Sequence, residues 1–245
     1  MARAGIGDRV EGTHAVSAAV AAGRVTKLMV DAARSDPEIT ALIAAAEANG
    51  AEVELVADIA SLALTDAPQG VVAHAEPIRP VDLATAVATT DPAALVVLDH
   101  LEDPRNVGAV ARSAVAAGIR ALVVPSRRAA PLGATAFKAA AGAFEHLSIA
   151  MVSSVADTVA KLRDLGVWVV GLDAGGERSI FGLDLLAEPV ALVVGAEGGG
   201  LSRLVAERAD LVVSIPHAGP AESLNASVAA SLAMYEVART RGWVT

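Results

Sequence analysis

Asn106 and Arg112 lie six positions apart in LDHLEDPRNVGAVARSAVAAG (98–118), pairing a carboxamide with a permanent cation. The expected helix, Asn106–Ala117 closed by Gly118, is otherwise small and apolar, so a lone guanidinium there needs a partner or a substrate. Arg112 sits about 9 Å further along the axis than Asn106 and off its face. Asp103-Pro104 ends the preceding loop, and Asn106 falls at or near the N-cap, where its side chain can satisfy an orphan N–H. A second segment, ALVVGAEGGGLSR (191–203), ends a buried-strand pattern in a run with four glycines, then starts a helix at Leu201-Ser202. Glycine lets backbone approach a ligand closely, and Glu197 is the one carboxylate offered there. A third, VVSIPHAGPAESLNASVAASLAMYE (212–236), carries a strand ending at Ile215-Pro216, a Gly/Pro loop and a helix opened by Glu222-Ser223-Leu224-Asn225. Ser223 and Asn225 are capping types, and Leu224, Val228, Leu232 and Tyr235 form an apolar stripe expected to face the core. Plainer uses compete with chemistry here: Asn106 as a cap, Arg112 as a solvated charge, the glycines as a tight turn.

The common ligand signatures are absent. No G-x-G-x-x-G follows a strand; Gly195 and Gly200 have the P-loop gap, but Leu201-Ser202 stands where Lys-Ser/Thr must reach phosphates. There is no G-x-S-x-G elbow. With no cysteine, and five scattered histidines without a ligand pair at helical spacing, thiol nucleophiles and Cys-ligated zinc are excluded, and no metal is expected.

The elements that would position these segments fall into two textures. Residues 1–76 read as a small α/β domain. Gly12-Thr13 opens a helix that stops at Gly23, VTKLMV (25–30) is a strand, and Asp36-Pro37 caps a helix that closes at Asn49-Gly50. AEVELV and QGVVAHAE (69–76) follow as strands. Residues 77–92, punctuated by Pro77, Pro80 and Pro92, read as a linker holding one short helix. From 93 to 245, ALVVLD (94–99), ALVV (121–124), VWVVGL (167–172), VALVVG (190–195) and DLVVSI (210–215) are near-continuous apolar runs. Such runs fit strands buried on both faces of a parallel sheet. Helices are expected at Asn106–Ala117, near Ala134–Ala143, at Ser154–Leu165 and from about Glu222 to Arg239. The fold class is therefore α/β.

The chain is 54% apolar but 2% aromatic, so its core is mostly Ala, Val and Leu. The longest uncharged stretch, Ser223–Tyr235, is short of the roughly 20 residues that span a membrane, and MARAGIGDRV holds no apolar leader; a cytoplasmic protein is expected. Net charge is −9, yet Pro104 to Lys138 contains six basic residues and no acidic one. A local strip of Arg105, Arg112, Arg127 and Arg128 can still meet phosphate, because screening confines fields to roughly 8–10 Å.

Together the three segments resemble the motifs of the SpoU (TrmH-like) branch of the SPOUT RNA ribose methyltransferases. The matching residues are N-x-G-x-x-x-R at Asn106, Gly108 and Arg112, G-x-E-G-x-G from Gly195 to Gly200, and I-P with S-L-N-x-S-V-A from Ile215 to Ala229. More loosely, GTHAV (12–16), AGRVTKLMV (22–30) and QGVVA (69–73) look like the N-terminal RNA-binding domain of the RlmB type; Pro68 departs from a frequent His. The resemblance implies a SPOUT domain with a trefoil knot after the small domain, and S-adenosylmethionine held by Gly195, Glu197, Gly198, Ile215 and Leu224. It implies 2′-O-methylation of RNA ribose, with Arg112 facing the 2′-OH and phosphate, aided by Asn106, Glu197, Ser223 and Asn225. Arg105, Arg112, Arg127 and Arg128 would contact RNA, and the active sites of a homodimer would draw on both subunits. A guanosine of large-subunit (23S) rRNA is the expected target. Alternatives are a tRNA 2′-O-methyltransferase, an antibiotic-resistance methylase of the same architecture, or a non-catalytic RNA-binding ribosome-assembly factor. A nucleotide-dependent oxidoreductase has no motif support.

Overall fold

The computed structural model describes residues 5–220 and 223–244, and the chain falls into two compact units. The first comprises residues 1–79 and 131–146, the second 80–130 and 147–245.

In the first unit, β1 (Arg9–Glu11), α1 (Thr13–Ala21), β2 (Val25–Asp31), α2 (Pro37–Ala48), β3 (Glu52–Val56) and β4 (Val71–Ala75) build a four-stranded sheet of order β1-β4-β2-β3. Only β2 and β3 pair in parallel. The start of α2 follows from its sequence: Asp36 accepts from Ile39 N at 3.2 Å and Pro37 occupies N1. Residues 131–146, expected within the 93–245 domain, belong to this unit and carry the helix Ala134–Ala140. Its Phe137 stacks on Phe144 with centroids 4.6 Å apart. Arg24 ties the unit together, pairing with Glu145 and donating to the carbonyls of Gly7 and Glu76.

In the second unit, the segment 80–92 is packed rather than loose: Val81 N donates to Ile149 O at 2.9 Å, and Asp82 caps α3 (Leu83–Val87). There follow β5 (Ala94–Leu98), α4 (Pro104–Ala116) and β6 (Ala121–Pro125). With the first unit's helix 134–140 as α5, the rest are β7 (Ser148–Val152), α6 (Val155–Asp164), β8 (Trp168–Leu172), β9 (Arg178–Ser179), β10 (Val190–Val194), α7 (Arg203–Arg208), β11 (Leu211–Ser214) and α8 (Ala226–Thr240). The strands form a seven-stranded parallel sheet, β7-β6-β5-β10-β8-β11-β9, among the described residues. Every residue of β5, β6 and β10 is buried, which is why those runs are apolar without alternation. Each such Val or Leu contributes roughly 1.5–3 kcal/mol.

Two expectations are corrected by the helices. Asn106 is not the cap of α4: Asp103 accepts from Arg105 N at 2.8 Å with Pro104 at N1, so Asn106 lies inside the first turn and its side chain is free for another partner. The stripe Leu224, Val228, Leu232 and Tyr235 does not face the core; these residues are 36–47% exposed. The buried face of α8 is instead Ala226, Ala230, Ala233 and Val237. Small side chains let α8 lie close on α4, where Ser231 Oγ donates to Ser113 Oγ at 2.7 Å, and the bulky stripe is left outside. α8 starts at Ala226 behind an Asn225 cap; Glu222, expected to open it, lies outside the described residues.

Candidate active site

β10, β8 and β11 are adjacent and parallel, so the loops leaving their carboxyl ends emerge side by side, where open parallel sheets hold ligands. There a cleft of about 630 Å³ opens, lined by Asp173, the glycine run 195–200, Ile215, His217 and the turn Ser223–Asn225. Its volume suits a nucleoside-sized ligand.

The glycine loop is pinned at its neck and open at its tip. Ala196 and Gly200 exchange backbone hydrogen bonds at 3.0 Å, and a Cβ on Gly195 would stand 2.2 Å from Gly200 O. Gly200 itself has φ +60°, and a Cβ there would strike Asp173 Oδ2 at 2.3 Å. Gly198 and Gly199 have open space where a side chain would be, so the loop tip offers bare backbone.

Asn106, Glu197 and Asn225, from the three motif segments, meet in one cluster. Asn106 Nδ2 donates to Glu197 Oε1 at 2.7 Å, Asn225 Nδ2 donates to the same oxygen, and Asn225 also donates to Asn106 Oδ1 at 3.1 Å. Asn225 Oδ1 accepts from Ser227 N at 2.9 Å and from Val228 N, capping α8. One carboxylate thus fastens the glycine loop to α4 and to the start of α8.

The other expected residues divide. Gly195, Gly198, Ile215, Ser223 and Leu224 line the cleft. Arg112 does not: it stands on the exposed face of α4, without an ion pair among the described residues. Arg105, at the start of α4, and Arg127 and Arg128, in the loop after β6, are likewise exposed and off the cleft.

The sequence reading missed Asp99 and Asp173. Asp99 is fully buried; Oδ2 accepts from Ser202 N at 2.7 Å and Oδ1 sits 2.6 Å from His100 Nδ1, anchoring the far side of the glycine loop. Asp173 accepts from Gly175 N at 2.9 Å and Leu201 N at 3.2 Å. Their signal was present: each ends a buried apolar run, ALVVL and VWVVGL, at a strand's carboxyl end.

Comparison with known proteins agrees with this geometry. Residues 93–235 match the SpoU rRNA Methylase family, and residues 9–81 match the family described as RNA 2′-O ribose methyltransferase substrate binding. The chain belongs to the SpoU rRNA methylase family. A putative TrmH family tRNA/rRNA methyltransferase of Staphylococcus saprophyticus is 36% identical over 241 residues, 96% of each chain. An uncharacterized tRNA/rRNA methyltransferase of Mycobacterium ulcerans is 46% identical over 176 residues, 71% of this chain and 56% of its own, so this chain spans about half of that relative. The solved SpoU methyltransferase AviRb from Streptomyces viridochromogenes, in complex with AdoMet, superposes with a TM-score of 0.78 at 30% identity, covering 96% of this chain and 91% of its own.

Proposed function

We propose that this chain methylates a ribose 2′-OH of RNA with S-adenosylmethionine as donor. The observation that carries the reading is the Asn106–Glu197–Asn225 cluster, which joins all three motif segments at one cleft. The cleft fits the donor: bare backbone at Gly198 and Gly199 can meet a flat adenine closely, and Leu172, Ile215 and Leu224 supply apolar walls. When bound, the donor supplies a methyl group on a positively charged sulfur.

The chain's own task is to align a hydroxyl and help it lose a proton. Arg112 is the residue for that task. Its guanidinium stays charged, so it stabilises developing alkoxide and holds the adjacent phosphate, while phosphate or water takes the proton. Arg112 is exposed and off the cleft of its own chain, which supports a homodimer in which each cleft is completed by the second copy. The exposed stripe Leu224, Val228, Leu232 and Tyr235 supports the same reading, since apolar surface of that kind marks an interface. Arg105, Arg127 and Arg128 extend the cationic rim for RNA, and Ser223 holds the cleft turn.

Large-subunit rRNA, at a guanosine, is the proposed substrate; the match of residues 9–81 to a substrate-binding family supports a large structured RNA. Incubation with methyl-labelled donor and unmodified large-subunit rRNA, small-subunit rRNA or bulk tRNA tests this. Label recovered as a 2′-O-methyl nucleotide from large-subunit rRNA, and lost in Arg112→Ala, is expected. Label in tRNA alone moves the substrate to tRNA, and no label in any RNA despite donor binding favours the non-catalytic assembly factor.

A further inference from the structure

Asp173 has a position that its neighbours do not duplicate. It follows β8, whose place between β10 and β11 sets it between the glycine loop and the Ile215 turn. It is partly buried, and its two carboxylate oxygens accept from Gly175 N and Leu201 N, so the charge is fixed rather than swung on a free side chain. Among the described residues lining the cleft, Asp173 and Glu197 are the acidic ones and there is no Lys or Arg. Glu197 is already committed at Oε1 to two side-chain amides. The cleft is therefore a negative one, able to distinguish ligands by charge.

We propose that Asp173 is a specificity residue: it makes this cleft hold a sulfonium nucleoside more tightly than the neutral thioether that methyl transfer leaves behind. The inference rests on the methyl-transfer reading above. In that reaction the S–CH3 bond breaks with its electron pair kept on sulfur, an O–CH3 bond forms, and the hydroxyl proton passes to phosphate or water. The ligand loses one positive charge while the cleft keeps its carboxylates, so attraction to Asp173 falls and the spent nucleoside leaves more readily.

The test is equilibrium binding, by calorimetry, of S-adenosylmethionine, S-adenosylhomocysteine and an amine-bearing analogue that keeps the positive charge without the sulfonium. The parent chain, Asp173→Asn and Asp173→Glu are compared, each with a thermal melt. The expected result is a parent preference for both cationic ligands that shrinks about three- to ten-fold in Asp173→Asn and returns in Asp173→Glu. A residue that only ties Leu201 and Gly175 would weaken all three ligands together, because the ratio of affinities cancels loop disorder. An unchanged ratio in Asp173→Asn therefore overturns the proposal. Failure of the parent chain to bind any of the three overturns the methyl-donor reading, and this inference with it.

Discussion

Asn106 Nδ2 and Glu197 Oε1 stand 2.7 Å apart across ninety-one positions of sequence, one inside the first turn of α4, the other in the loop leaving β10. Because Asp103 already caps α4, the Asn106 amide contributes nothing to helix capping and acts on the loop alone. Asn106→Ala should then cost about 1–2 kcal/mol of stability and weaken donor binding, with Glu197→Gln showing a similar loss. A double-mutant cycle measured by chemical denaturation should give a coupling of about 1 kcal/mol; additive losses would mean the pair is incidental.

Arg112 should tolerate neither removal nor a simple swap of cation. Arg112→Lys keeps the charge but loses the planar fork, and turnover should drop at least about ten-fold while donor affinity and melting temperature stay unchanged. Single-turnover methylation alongside calorimetry checks this; undiminished turnover would remove guanidinium geometry from the mechanism.

The stripe on α8 is a prediction about assembly. Leu232→Asp with Tyr235→Asp places charge on residues 39% and 44% exposed, so the fold should persist by circular dichroism. Light scattering should show monomer where the parent is dimer, and methyl transfer should disappear with the dimer. Unaltered mass would show that the stripe is not the interface.

In the first unit, Arg24 and Glu145 are both substantially buried, with side-chain exposures of 14% and 4%. Arg24→Met strands the carboxylate and should cost about 3 kcal/mol, whereas Arg24→Met with Glu145→Met should recover most of that loss. Thermal melts of the three chains decide the matter.

Acid stability should carry a contribution from Glu236, which is 6% exposed. The Arg239 guanidinium, and then the Gly182 backbone N–H, hold its carboxyl below the usual carboxylate range. A lowered folded value means the stabilisation is complete above the ordinary value near 4.5, and disappears as pH falls through the folded one. Melting temperature against pH should therefore fall less steeply below that range in Glu236→Gln than in the parent.

The buried strands were legible because nothing but a two-sided environment asks for runs such as ALVVL and VALVV. Edge positions were not. β7 has mixed burial, with Met151 38% exposed at the sheet's rim, so its pattern is diluted, and β9 is only two residues long. The site was legible as three segments, since unusual residues survive any packing arrangement. Their mutual hydrogen bonds were not, because a carboxamide near a helix start looks the same whether it caps or reaches away. α8 was misread for a related reason: it has two apolar faces, and periodicity does not reveal that the alanine face is the one another helix can approach closely.

The composition of the first unit has a practical consequence for anyone cutting this gene. Because α5 and residues 143–146 belong with residues 1–79, a fragment ending at Arg79 is not a domain but a domain missing a piece. It would lack Glu145, leaving Arg24 without its carboxylate, and would lack Phe137, whose ring crowds the Cα of Gly7 so closely that a Cβ there would lie 2.2 Å from it. Deletion of residues 131–146 would injure the same unit from the other side. The boundary that matters to the protein is drawn in space, and no single scissor cut along the sequence reproduces it.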